Sequence, residues 1–328
     1  MASETEFQAA RLPTDDVVIA FRTDKSKISG WLVRLGQTAD SILAAHNAPE
    51  AASEVLAEAL CVASLMGTAL KSDGKFLLQS RTDGVVTFLV ADYEVPGQLR
   101  GYVRYDKAKI SELDGARKNA GQAVVLGNGH LGFLLEQGLE PERYQGVVAM
   151  DGGTLTDGTL RYFEDSAGIA AFVRLAVARD FKAGDGGQAA RWHWRAGGMI
   201  LQHLGADRSN MAPGRPAGAD DEDWVRVRSL AETVEDLELL DPTLTPERLL
   251  LRLFHEEGVR IERAQPLKRF CRCSRERVYD VLKSFGAKEL SDMHDEQGKI
   301  TVTCEFCTTT YAFDPAEIGT SEDHGVPR

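Results

Sequence analysis

The chain has 328 residues, 43% of them hydrophobic, and a formal net charge of −12 at pH 7. That length suits two domains or one domain with an appendage, and the apolar content excludes wholesale disorder. No run of eighteen apolar residues occurs and the start, MASETEFQAARLPTDD, has no apolar h-region, so no membrane partner, no secretory signal and a cytoplasmic location are expected. The negative field also predicts no nucleic-acid partner, since the densest basic run is only Lys268, Arg269, Arg272, Arg275 and Arg277.

Residues 17–35 alternate polar and apolar positions, which predicts two strands around a turn. A helix is expected to open near Pro49, because the first helical turn tolerates proline. Its apolar positions Val55, Leu56, Ala59, Leu60, Ala63, Met66 and Leu70 cover much of its circumference, so it must be buried against a sheet. Strands are predicted at 76–80, 85–91, 100–106, 122–126, 131–136 and 145–150. Asp83-Gly84 and Asn128-Gly129 are dipeptides suited to tight hairpins, since both tolerate positive φ. On that reading GNGHLG at 127–132 is a hairpin and not a phosphate loop.

A helix is predicted over 159–180. Residues 183–188 and 205–223 are rich in Gly, Ala, Pro and charge and read as loops or linker. From Trp224 to Leu237 the stripe Trp224, Val227, Ala231, Val234 predicts an amphipathic helix. The next helix is delimited by Thr245 as N-cap, Pro246 at its first position and Gly258 past its end, with Leu250, Leu253, Phe254 and Glu257 at helical spacing. Thirteen acidic and six basic residues fall between 219 and 263, so this segment is helical but marginal unless packed on something.

Four of the five cysteines, Cys271, Cys273, Cys304 and Cys307, are spaced C-x-C, then thirty residues, then C-x-x-C. A tail this small needs a staple, and four soft thiolates with no vacancy describe a closed, structural site for one zinc ion. Ser274 is a suitable N-cap for a helix carrying Val278, Val281, Leu282 and Phe285, with Gly286 ending it. Residues 299–303 and 308–313 read as strands flanking the C-x-x-C turn. The C-x-C half is expected to need a tighter backbone. Both spacings hold thiols close enough to bond once metal leaves, in short strained loops of the regulatory kind. Oxidants attack thiolates, so loss of the metal and unfolding of the tail follow as a switch.

Cys61, in an apolar helical stretch, reads as a buried core residue. His294 reads as solvated surface, and His130, His193, His203 and His255 as unclustered structural residues. A zinc-ribbon nucleic-acid binder is the alternative, resting on the arginines beside the cysteines, which can instead pair with the acidic linker. A thiol-disulfide oxidoreductase is disfavoured because strands flank the C-x-x-C on both sides. No catalytic constellation stands out, so the chain reads as a non-enzyme.

The segments FLLQSRTDG, RGYVR, YQGVV, GGMILQ, LRLFHEEGV and above all FCRCSRER with VTCEFC resemble the heat shock protein 33 family of redox-regulated, ATP-independent holdases. The resemblance implies zinc held by four cysteines in an inactive reduced form. It implies oxidative pairing of Cys271 with Cys273 and of Cys304 with Cys307, unfolding of the zinc domain and linker, and binding of unfolding client proteins by a homodimer. It departs from the family at Glu164–Gly168 after Tyr162-Phe163, at His130, and in a longer loop 205–223. The expected architecture is α+β: an antiparallel-sheet domain with packed helices over 1–204, a charged helical linker over 205–262, and a small four-cysteine zinc-binding domain over 263–328.

Overall fold

The structure, a computed structural model, describes residues 13–70, 74–116, 125–137, 142–184, 189–204 and 216–318. These divide into two compact units, Met1–Arg269 and Phe270–Arg328, where the sequence suggests a break at 262/263.

The first unit holds two sheets. In chain order its strands are β1 Val17–Thr23, β2 Ser29–Leu35, β3 Lys75–Thr82, β4 Val86–Glu94, β5 Gln98–Tyr105, β6 Asn128–Gln137, β7 Glu142–Asp151, β8 Ala171–Lys182, β9 Arg191–Gln202, β10 Val259–Pro266 and β11 Lys268–Arg269. The five-stranded sheet has the order β10-β1-β2-β9-β8 and the six-stranded sheet β11-β5-β4-β3-β6-β7. Every pairing is antiparallel except that of β11 with β5. The architecture is α+β, as the strand-hairpin-helix pattern predicts.

The helix Glu50–Gly67 explains why two sheets are needed. All its residues but Glu50 and Glu54 are buried, so a single covering layer would not suffice. It packs against strands of both sheets, and Pro49 is its N-cap. Cys61 is fully buried there, and burial raises its thiol pKa well above the ordinary value.

The other face of the five-stranded sheet is covered by the helices Glu222–Ala231, Asp236–Leu240 and Pro246–Phe254. Trp224, Val227, Ala231, Val234, Leu250, Leu253 and Phe254 are all buried there with Phe21, Leu32 and Met199. The stripe read as one helix over 224–237 is therefore two, broken after Ala231, yet its inward face is as predicted. Thr245 caps the third helix through Arg248 N, and Gly258 adopts φ +69 beyond it. Gly197 is required where this layer meets the sheet, because a Cβ on it would sit 2.7 Å from the Leu239 carbonyl oxygen.

Glu257, 2% exposed, ties this layer together by accepting from Ser26 Oγ and from Arg226 Nε at 2.8 Å. Arg226 holds its carboxyl below the ordinary value of 4.5, against burial and with help from Ser26. A depressed folded pKa gives stability that is present above the unfolded value and lost as pH falls through the folded one. Glu257→Gln is expected to melt about 3 °C below the parent at pH 7. Melting curves of the two proteins should converge as pH falls below 4.5; an undiminished gap there would contradict this role.

Three sequence expectations are corrected. Residues 171–180, predicted as the end of a long helix, belong to β8, which is paired with β9 along its whole length. Helix is confined to Leu155–Arg161 and the π-helical Tyr162–Ala167, and Gly168 at φ +63 ends it. Alanine, leucine and arginine favour helix locally, and sheet pairing overrides them. Val125 and Leu126 are helical and not extended; the rest of 122–126, at 122–124, lies outside the described residues. Asn128-Gly129 opens β6 and makes no hairpin turn, the bend being carried by Gly127 at φ +68. Asp83-Gly84 does turn, between β3 and β4. Much of the predicted loops 183–188 and 205–223, at 185–188 and 205–215, also lies outside the described residues.

The second unit contains the helices Arg275–Leu282 and Ala287–Asp292 and the hairpin of β12 Ile300–Thr303 with β13 Thr310–Phe313. Both strands and the Ser274 cap are as predicted, the Ser274 side chain accepting from Arg277 N at 3.2 Å. Gly286 does not end the first helix; at φ −71, ψ 158 it is the N-cap of the second. Val281, assigned to the apolar stripe, is exposed.

Candidate metal centre

Two pieces of backbone deliver the four predicted thiols to one point. Cys271 and Cys273 precede the helix Arg275–Leu282, and Cys304 and Cys307 lie in the turn joining β12 to β13. Residues 270–274 lie outside helix, strand and turn, and Ser274 is extended at φ −147, ψ 163. Cys271 and Cys273 Sγ are 3.3 Å apart.

The C-x-x-C half needs a turn instead. Cys304 O accepts from Thr308 N at 2.8 Å and Cys304 N donates to Thr309 O at 2.9 Å. Thr308 takes a left-handed φ of 60 to close it. Across the halves, Cys271 and Cys304 Sγ are 3.7 Å apart and Cys273 and Cys307 Sγ 3.3 Å. All four Sγ atoms lie within 4.8 Å of one another, half-buried, and form the one group among the described residues able to hold a metal ion.

The electrostatics of the thiols call for a cation. Burial is the largest influence on Cys273, and with the neighbouring thiols it outweighs the Tyr311 hydroxyl to push Cys273 up to about 12. Burial also raises Cys304. At Cys307 burial acts upward too, but the Thr309 hydroxyl and amide, with Cys273 and Cys271, hold it down to about 6. One thiolate among its neighbours is all that such a cluster accepts readily, because each further negative charge is opposed by the last. A positive ion at the centre removes that opposition.

Two supporting residues escaped the sequence reading. Thr309 Oγ1 is in hydrogen-bond contact with Cys307 Sγ at 3.2 Å, and Tyr311 donates its hydroxyl to Cys273 Sγ at 3.3 Å. Tyr311 lies in β13 and Thr309 directly precedes it. Outer partners of this kind commonly alter metal affinity 10–100-fold. Tyr311→Phe is therefore expected to weaken metal binding by about tenfold, as read by competition with a chromophoric chelator, with the fold retained. Unchanged affinity would mean that this hydroxyl does not tune the site.

The arginines flanking the cysteines serve their own unit. Arg275 donates to Ala312 O at 2.7 Å, pairs with Glu317 at 2.8 Å and lies 4.3 Å over the Phe313 ring. Arg277 donates to Arg272 O at 2.7 Å. Arg275 thus finds its carboxylate within the second unit, at Glu317. His294 is exposed, as read from its polar loop. The remaining histidines are dispersed: His193 contacts Asp40, His203 contacts Asp221, and His130 and His255 are exposed.

Comparison with known proteins places this geometry. A family profile described as Hsp33 protein matches residues 16–314. A protein of Caulobacter vibrioides named 33 kDa chaperonin is 40% identical over 301 residues, covering 92% of this chain and 95% of the relative. A 33 kDa chaperonin of Pseudomonas aeruginosa is 34% identical over 299 residues, covering 91% of each. The crystal structure of the 33 kDa chaperonin from Thermotoga maritima superposes with a TM-score of 0.70 at 22% identity, over 92% of this chain and 96% of that one.

Proposed function

From the premise that the chain belongs to the Hsp33 family, we propose that it is a redox-regulated, ATP-independent holdase acting in the cytoplasm. Its reduced form holds one zinc ion through Cys271, Cys273, Cys304 and Cys307 and is inactive. The observation that carries this reading is the single cluster of four thiols drawn from two halves of a small unit.

The donor set fits zinc. Tetrahedral Zn–S bonds of about 2.3 Å require sulfur–sulfur edges of about 3.8 Å; three of the six edges here are 3.3, 3.3 and 3.7 Å, and all lie within 4.8 Å. When bound, the ion cross-links the 271/273 strand to the 304/307 turn and neutralises the thiolates. Oxidation converts Cys271 with Cys273, and Cys304 with Cys307, to disulfides. Each pair of thiolates gives up two electrons, which with two protons from solvent reduce one hydrogen peroxide per pair to two water molecules. Disulfide sulfurs no longer hold the ion, and the unit, with five buried apolar side chains in its core, loses its staple. Unfolding clients then bind, with the oxidised protein a homodimer.

The reading is non-enzymatic. A cavity of about 640 Å³ beside the start of the helix Gln37–His46 is polar, and several of its charges pair with one another. Asp40 meets Arg191 at 2.8 Å and His193 at 3.0 Å, and Asp15 meets Arg195. Among the described residues no helix is long and apolar enough to cross a membrane.

The test treats zinc-loaded protein with hypochlorous acid, or with peroxide at elevated temperature, and follows zinc release beside aggregation of a thermally unfolding reporter. Release and suppression should rise together. Oxidised, zinc-free protein that leaves aggregation unchanged would refute the holdase.

A further inference from the structure

β8 is a long strand on the rim of the five-stranded sheet. It runs twelve residues, Ala171–Lys182, and β9 is its one partner among the described strands. A rim of that length offers a row of backbone donors and acceptors to another chain. The ladder shows which residues supply them. Ala171 lies opposite Gln202, and His203 N donates to the Ala170 carbonyl at 3.0 Å, so the 170/203 pair is hydrogen-bonded. Such pairs alternate along an antiparallel ladder. The even-numbered residues from 172 to 182 therefore bond to β9. The N–H and C=O groups of Val173, Leu175, Val177, Arg179 and Phe181 point outward.

The side chains then single out one way for a second copy of the strand to add. When two such edges pair antiparallel, odd residues must meet odd residues, because only their groups face out. Setting Val177 against itself places Val173 opposite Phe181 and Leu175 opposite Arg179 of the second copy, as hydrogen-bonded pairs. Between them Arg174 falls opposite Asp180 and Ala176 opposite Ala178. These are non-hydrogen-bonded pairs, in which side chains approach most closely. The two-fold axis makes the ion pair twice. The next register in one direction sets Arg174 against Lys182. The next in the other direction sets Arg174 against Ala178 and Asp180 against Phe172. Charges on a rim strand ordinarily hinder chance pairing; here they favour a single register.

The structure shows what withholds that register. Asp180 forms no ion pair among the described residues. Arg174 is engaged elsewhere: its Nε and a terminal nitrogen both donate to Asp236, at 3.0 and 2.6 Å. Asp236 begins the short helix Asp236–Leu240, which packs on β8. Phe181, at the far end of the strand, is 53% exposed and would lie beside Val173 of the second copy. We propose that β8 is a self-pairing edge, to which a second copy of this chain adds once the acidic helices release Arg174. The inference rests on the redox reading only for the event that frees Arg174.

Sedimentation equilibrium of the oxidised, full-length protein reads the dimer. Arg174→Asp and Asp180→Arg should each weaken it by about tenfold or more, since both ion pairs become like-charge contacts. Mixed together, the two variants should recover the parental affinity, because the heterodimer restores both pairs. Asp236→Asn frees Arg174 without oxidation, so the reduced, zinc-loaded variant should self-associate more tightly than the parent. In the dimer, hydrogen exchange should slow at the amides of Val173, Leu175, Val177, Arg179 and Phe181, and not at the even-numbered residues between them. Melting curves of the variants confirm folding. Charge-reversal variants that dimerise like the parent, a mixture no tighter than its components, or a reduced Asp236→Asn protein that associates no more than the parent would each overturn the self-pairing edge. A dimer with this reversal pattern that leaves reporter aggregation unchanged would keep the edge and remove the holdase.

Discussion

Replacing Cys273 with serine is expected to abolish metal binding and to unfold residues 270–318, leaving the first unit folded. Cys273 Sγ touches three groups: it is 3.3 Å from Cys271, 3.3 Å from Cys307 and 3.3 Å from the Tyr311 hydroxyl. A serine oxygen is a poor partner for an ion chosen by soft sulfur donors, and three ligands leave the site open. The unit's own core is Leu282, Leu290, Ile300, Phe313 and Ile318, with a rim that includes Tyr279 and Val302. A core of that size rarely supplies more than about 3–5 kcal/mol, whereas a structural zinc contributes on the order of 10–16 kcal/mol. Hydrogen exchange is the decisive measurement. Amides of the helix Arg275–Leu282 and of β12 and β13 should lose protection in the variant, while those of the helix Glu50–Gly67 keep theirs. Protection retained in β12 and β13 without metal would show that the unit stands on its core alone, and the redox reading would lose its means of unfolding.

The parts of the molecule legible in the sequence are those where a local rule and the tertiary structure agree. Thr245-Pro246 and Ser274 mark helix starts because a cap satisfies orphan amides wherever the helix packs. The helix Glu50–Gly67 could be read as buried because its apolar residues leave no polar face. The cysteines gave away their site because liganding demands proximity regardless of fold. What escaped was fixed by pairing at a distance. The composition of β8 favours helix, and only β9 alongside it makes it a strand. The marginality of the acidic helices was conditional on what they touch, and they touch a whole sheet face. Gly197 marks that contact, though nothing local says so.

That contact rests on a buried arginine, and Arg34→Met is expected to cost about 3 kcal/mol or more. Arg34, on β2, is 1% exposed. Its Nε donates to Leu239 O at 3.1 Å, one terminal nitrogen to Glu238 O at 2.6 Å and the other to Leu244 O. The carbonyls of Glu238 and Leu239 end the short helix Asp236–Leu240 and have no partner along the chain. Arg195 of β9 serves the adjacent Leu240 carbonyl at 2.7 Å and is itself held by Asp15. Methionine nearly matches the arginine stem in volume, so the loss isolates the hydrogen bonds from a packing cavity. Arg34→Lys keeps the charge but not the three-way geometry, and should fall between the two. Urea titration of the reduced, zinc-loaded protein reads the cost, and a loss below about 0.5 kcal/mol would remove Arg34 from this role. Exchange protection should fall first in the helices between 222 and 254. Their release uncovers Phe21, Leu32 and Met199, an apolar face with nothing else in the described residues to cover it. On the proposed function, Arg34→Met should then suppress reporter aggregation with all four cysteines reduced. Loosened helices without that gain would place the client surface elsewhere on the molecule.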